Sequence, residues 1–115
     1  MKNEHDPIYL ESDVEDSEDF MRAQLVKLFV AENITFGKFS QLHREYMTRL
    51  GEHPDKIASD RNNRIKTITK KKHLTYSMFV SIVKDILGFN LNSMTMRLTN
   101  REGKVYILSV DRLTY

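Results

Sequence analysis

The sequence predicts an α+β fold, a single mainly helical domain of about four helices followed by a C-terminal β-hairpin. Three observations support this prediction. The chain has 115 residues, which is enough for one domain and not for two. Before Gly88, apolar residues recur at the three- and four-residue spacings of helices that face a core. After Gly88 they alternate with polar residues, which is typical of strands.

The N-terminal segment differs from the rest of the chain in charge. Residues 1–20 hold eight acids against one lysine, a net charge of −7, so residues 21–115 must carry +9 to leave the whole chain at +2. Residues 1–16 also contain few core-forming side chains and cannot offset the entropy cost of ordering. We therefore divide the chain into an acidic, mobile arm, residues 1–16, and one globular domain, residues 17–115.

The first two predicted helices pack against the core through apolar faces. One spans residues 17–33, and the acids before it suit the N-terminal end of its dipole. The other spans residues 35–50, where Thr35 can cap the helix and Phe39 has the spacing of a hydrophobic staple. His43 lies on its apolar face without a second ligand residue at metal-binding spacing, so we expect a packed or edge histidine and not a ligand.

The third predicted helix, residues 54–70, has a basic outward side. With successive residues about 100° apart, its isoleucines share one narrow side that can dock on the core. Asp60 falls on the flank, which leaves the opposite side without an acid. That side collects Lys56, Ser59, Asn62, Asn63, Lys66 and Lys70. Arg61 and Arg64 border the docking side, and Lys71 and Lys72 extend the positive charge beyond the helix end.

The last helix and the hairpin complete the predicted domain. The helix at residues 75–87 repeats the start signal at Thr75 and is apolar around most of its circumference, so we expect a central core helix or a dimer contact. Alternating residues 94–98 and the run 105–110 predict two strands joined by a turn at Gly103. Three cations lie near the hairpin tip, Arg97, Arg101 and Lys104.

This order of elements resembles a helix-turn-helix with a wing, in which the second helix of the pair enters the DNA major groove. Asparagine can pair with adenine edges, and lysine can reach guanine edges or phosphates. The helix at residues 75–87 departs from the simplest winged helix, because it intervenes before the hairpin. We predict a small DNA-binding regulator of transcription that binds double-stranded DNA. The predicted contacts are Lys56, Ser59, Arg61, Asn62, Asn63, Arg64, Lys66, Lys70, Lys71, Lys72, Arg97, Arg101 and Lys104.

Two other interpretations stay open. Basic outward sides are common on helices, and the charges of residues 54–72 can simply be a solvated surface. Alternatively, the acidic arm docks onto a basic protein partner, which would make the chain an adaptor or an inhibitor. The sequence does not decide whether two copies form a homodimer to read a palindromic site.

Other chemistry is not expected. The chain has no cysteine, and its four glycines form no phosphate-binding loop. Asp55 with Glu102 and Lys104 matches a split nuclease motif only superficially, so we predict no enzyme, no cofactor and no metal site. A membrane span needs roughly 20 apolar residues, which the sequence lacks. The acidic N-terminus is unlike a secretory signal, so a cytoplasmic location is expected.

Overall fold

The computed structural model describes residues 7–10 and 17–108. Within them, four α-helices are followed by three antiparallel strands, which confirms the α+β prediction, and an N-terminal strand joins these three in one four-stranded sheet. The helices are α1 (Ser17–Ala31), α2 (Phe36–Arg49), α3 (Pro54–Ile68) and α4 (Tyr76–Ser81). The strands are β1 (Ile8–Leu10), β2 (Asn90–Asn92), β3 (Arg97–Thr99) and β4 (Val105–Leu108). None of the described helices is long and apolar enough to cross a bilayer.

Local side-chain caps start three of the helices. The hydroxyl of Thr35 accepts a hydrogen bond from the Lys38 amide at 3.0 Å, and that of Thr75 accepts from the Met78 amide at 3.1 Å, which confirms both predicted starts. At α3, His53 takes the capping role, its Nδ1 accepting from the Asp55 amide at 3.2 Å. A capping side chain satisfies an amide that has no partner inside the helix.

The end of the fourth predicted helix differs from a regular α-helix. The chain continues from α4 into a π-helical turn, Ile82–Ile86, and Gly88 ends it with a φ of 80°. The helical segment is nevertheless the central core element that was predicted, because Phe79, Ile82 and Val83 are almost completely buried.

The sheet contains two strands that the periodicity did not reveal. The predicted hairpin is formed by β3 and β4, with Gly103 at a φ of 86° in its turn. Its first strand begins only at Arg97, because Met96 has a φ of 52° and Met94 lies in the preceding turn, 89% exposed. The additional strands are β2, which pairs with β3, and β1, which pairs in parallel with β4.

Strand β1 lies in the acidic arm, for which we expected no secondary structure. Its three residues pair with Tyr106, Ile107 and Leu108. The local pattern cannot show this pairing, because the partner strand is almost one hundred residues away along the chain and three residues carry little periodicity. Residues 1–6 and 11–16 lie outside the described residues, so the mobility of that part of the arm stays a prediction.

A buried polar contact attaches the sheet to α1. The Tyr106 hydroxyl donates to Glu32 at the C-terminal end of α1, and the Asn100 side-chain amide donates to the other Glu32 oxygen at 3.0 Å. Burial, followed by the Glu32 carboxylate, raises the pKa of Tyr106. These contacts hold the hairpin tip at the end of α1 and set the direction in which the tip projects.

Candidate nucleic-acid interface

The basic side of α3 is turned to solvent. Ser59, Asn62 and Lys66 are exposed, and Asn63 is half-buried. Lys70 is also exposed but lies outside the helix, which ends at Ile68 and not at the predicted residue 70, because Lys70 has a φ of 70°. On the opposite side Ile57 and Ile68 are 7% and 4% exposed, so α3 docks through the predicted isoleucines. Burying this side holds the helix in place and leaves the polar side available to a ligand.

The centre of this surface is unpaired. Across residues 7–10 and 17–108, the side chains of Asn62, Asn63 and Lys66 have no hydrogen-bond or ion-pair partner. Toward the ends, Lys56 pairs with Glu52 at 3.1 Å, and Lys70 lies 3.6 Å from Asp19. Exposed ion pairs of this kind are weak, so both lysines can exchange their carboxylates for phosphates.

Arg64 does not belong to this surface. It was predicted to reach phosphates from the edge of the docking side. Its Nη1 donates instead to the Ser81 hydroxyl at 3.0 Å and contacts Met78 Sδ at 3.1 Å, which places the half-buried guanidinium between α3 and α4. We remove Arg64 from the candidate contacts, while Arg61 remains half-buried with no ion pair inside the described part of the chain.

The lysine loop after α3, residues 70–72, is held by the start of α1. Arg22 Nε donates to the Thr67 carbonyl at 2.9 Å, and Arg22 Nη2 donates to the Lys72 carbonyl at 2.8 Å. The side chains of Lys71 and Lys72 are both exposed. The buried arginine therefore holds the loop backbone and leaves the side chains of Lys71 and Lys72 exposed.

Glu18 makes the second attachment of this loop. Its carboxylate accepts from the Leu74 amide at 2.5 Å and lies 2.7 Å from His73 Nδ1. The Leu74 hydrogen bond is the main reason why the pKa of Glu18 is lowered. Sequence reasoning missed the roles of Arg22 and Glu18. The only local signal is their four-residue spacing, which predicts an ion pair on one helix and not a contact fifty residues away.

The three predicted wing cations have different surroundings. Arg97 is exposed on β3, and Lys104 Nζ lies 5.8 Å from the centre of the Tyr106 ring. Arg101 lies beside α2, where it lines a groove together with Arg44 and Arg49. The two α2 arginines were not among the predicted contacts, since only the tertiary structure brings them next to the hairpin.

The four helices and the antiparallel sheet form an α+β domain consistent with a winged-helix-like arrangement. No family model, curated protein or solved structure matches the chain. In the described ranges, no group of three histidine, aspartate or glutamate residues is arranged to hold a metal ion.

Proposed function

We propose that the protein is a small regulator that binds double-stranded DNA through the outward side of α3. The observation that carries this proposal is the group formed by Asn62, Asn63 and Lys66, which is open to solvent and has no partner elsewhere in the described chain. Two amides and a cation on one helix side match the donors and acceptors that base edges and phosphates offer.

In the proposed mechanism, α3 and the loop after it contact different parts of the duplex. The side chains of Asn62 and Asn63 contact base edges in the major groove, where each amide can both donate and accept. Lys66 contacts a guanine edge or a phosphate. The loop lysines, Lys71 and Lys72, contact phosphates on one flank and thereby set the position of α3 along the duplex.

Binding to a fluorescent duplex of random sequence tests this function. We expect fluorescence anisotropy to show that affinity falls steeply between about 50 mM and about 200 mM salt, because phosphate contacts release counterions. The Asn62→Ala/Lys66→Ala variant is expected to bind about tenfold or more weakly, since it removes one amide and one cation from the centre of the surface.

The matched control is Asn90→Ala/Lys84→Ala, which removes the same two residue types from exposed positions outside α3. It is expected to retain most of the wild-type affinity. Duplex binding that does not respond to salt, or equal losses in the two variants, would contradict the proposed surface.

Asp19 provides a second prediction about the same surface. Its carboxylate lies 3.6 Å from Lys70 and competes with phosphate for that cation. Asp19→Asn is therefore expected to strengthen duplex binding by about two- to fivefold, the range that a weak exposed pair allows. Anisotropy at low salt measures the change. The control Asp85→Asn makes the same change in net charge on the π-helical turn, and an equal gain there would show that net charge alone is responsible.

A protein-binding function is the second candidate, and α1 provides the observation that favours it. Val26 and Val30 are 50% and 73% exposed, and together with Phe36 they border an apolar groove of about 600 Å³. Contiguous exposed apolar surface is typical of protein contacts. Docking through the acidic arm stays a prediction, because most of the arm lies outside the described residues. The duplex titration separates the candidates, since an apolar contact does not require phosphates.

A further inference from the structure

A second basic surface lies between α2 and the hairpin tip. It is a groove of about 510 Å³ that the π-helical turn also borders. Its lining residues are Leu42, Arg44, Glu45, Thr48, Arg49, Ile86 and Arg101. Three guanidinium groups therefore face one carboxylate, which leaves the groove with an excess of positive charge.

The three arginines have no anionic partner in the part of the chain that is described. Each is exposed, and none forms an ion pair there. Glu45, the only acid in the groove lining, accepts a hydrogen bond from the Gln41 side chain at 3.3 Å. The groove therefore keeps an excess of positive charge with no ion pair in the described chain, unlike Lys56 on α3 and Lys70 just beyond its end.

One of these guanidinium groups lies close to the backbone at Gly88. Gly88 has a φ of 80°, and a β-carbon at this position would lie 3.0 Å from Arg101 Nη2 and 3.2 Å from Arg101 Nε. The absence of a side chain at Gly88 therefore lets the guanidinium rest directly against the backbone.

Phosphate is the anion that best suits this arrangement. Guanidinium groups form paired hydrogen bonds with phosphate oxygens, and a phosphate has enough oxygens to serve several arginines at once. Thr48 adds a hydroxyl donor, while Leu42 and Ile86 give the groove an apolar lining that strengthens charge interactions.

We propose that the groove lined by Arg44, Arg49 and Arg101 is a phosphate-binding site that works independently of α3. Its ligand is a phosphate group, carried either by a nucleic-acid backbone or by a free phosphate compound. The chemistry of recognition is the same for both sources, and the two arms of the experiment distinguish them.

Calorimetric titration with sodium pyrophosphate is the first arm, with ionic strength held constant by sodium chloride. The full-length protein is expected to bind pyrophosphate, and Arg44→Gln/Arg49→Gln is expected to bind it about tenfold or more weakly. The charge-matched variant Lys27→Gln/Lys84→Gln, altered at exposed lysines outside both basic surfaces, is expected to bind like the wild type. Thermal unfolding of both variants verifies that these exposed substitutions leave the fold intact.

Duplex binding by the same variants is the second arm. A lower duplex affinity of Arg44→Gln/Arg49→Gln, with a salt slope reduced by about 1 to 2, would support the site with a backbone phosphate as its ligand. An unchanged duplex affinity together with lost pyrophosphate binding would support it with a free phosphate compound as the ligand.

Two results would overturn the phosphate site. One is wild-type protein that binds no pyrophosphate beyond the sodium chloride control. The other is an equal loss in the arginine and lysine variants. Neither result depends on duplex binding. If the protein does not bind DNA, the calorimetric titration still decides whether the groove binds phosphate.

Discussion

Replacing Arg22 with alanine is expected to lower the free energy of unfolding by about 3 kcal/mol, because the change leaves buried hydrogen-bond acceptors without a donor. The Arg22 side chain is 9% exposed. It donates to the main-chain carbonyls of Thr67 and Lys72 and to the Glu18 carboxylate at 2.9 Å. Alanine removes these donors together, so α1 loses the hydrogen bonds that Arg22 makes to the C-terminal turn of α3 and to the loop after it.

Urea unfolding followed by circular dichroism measures this loss. The control Arg44→Ala removes an exposed arginine without an ion pair in the described chain, and its effect is expected to stay within about 0.5 kcal/mol. Arg22→Lys is expected to recover only part of the loss, since lysine keeps the charge but not the planar set of donors that reaches two carbonyls. A loss below about 1 kcal/mol for Arg22→Ala would show that other groups satisfy these carbonyls.

The buried histidine of α2 is expected to make the protein sensitive to acid. His43 is completely buried, and neither ring nitrogen has a hydrogen-bond partner among the described residues. Burial, reinforced by the charge of Arg64, lowers the pKa of His43 from 6.5 to about 4. Between these values the unfolded chain binds a proton that the folded protein does not, so protonation favours unfolding.

Stability is therefore expected to fall as the pH drops from 6.5 to about 4, and the contribution of His43 should level off below that. The fall attributable to His43 is about 3 kcal/mol, since one unit of pKa difference corresponds to about 1.4 kcal/mol. Urea unfolding at several pH values measures it. The lowered pKa of Glu18 adds a separate loss at lower pH, below the 4.5 of an ordinary glutamate.

His43→Leu removes the titrating group and the two unpaired nitrogens. This variant is expected to lose the pH dependence between 6.5 and about 4 and to match or exceed the wild-type stability at pH 7. The control His53→Asn replaces an exposed histidine with another residue that can cap α3, and it should retain the wild-type slope because His43 is intact. An unaltered slope in His43→Leu would assign the acid sensitivity to other groups.

The helix starts were predictable because they depend on neighbouring residues. Thr35 and Thr75 cap their helices through amides three residues away, a distance that the sequence itself specifies. The same holds for the orientation of α3, since the spacing of its isoleucines already separates a docking side from an outward side. The exposed positions of Asn62 and Lys66 follow directly from that spacing.

Two of the missed features depend on contacts between distant segments. Strand β1 pairs along the edge of β4, and the buried Arg22 donates to the Thr67 carbonyl in α3 and to the Lys72 carbonyl in the loop after it. For Arg64, the position on the helix predicted a phosphate contact. The side chain is long enough to donate to Ser81 on α4 instead.

The sequence by itself determined where the helices begin, which side of α3 faces water and where the charges lie, because each depends on the spacing of nearby residues. Only the tertiary structure decided which charges remain free. Packing pairs Lys70 with Asp19, withdraws Arg64 into the contact with α4, and brings Arg101 to α2. The physical reason is that an ion pair or a groove requires two segments to meet, and their meeting is set by the packing of the whole core.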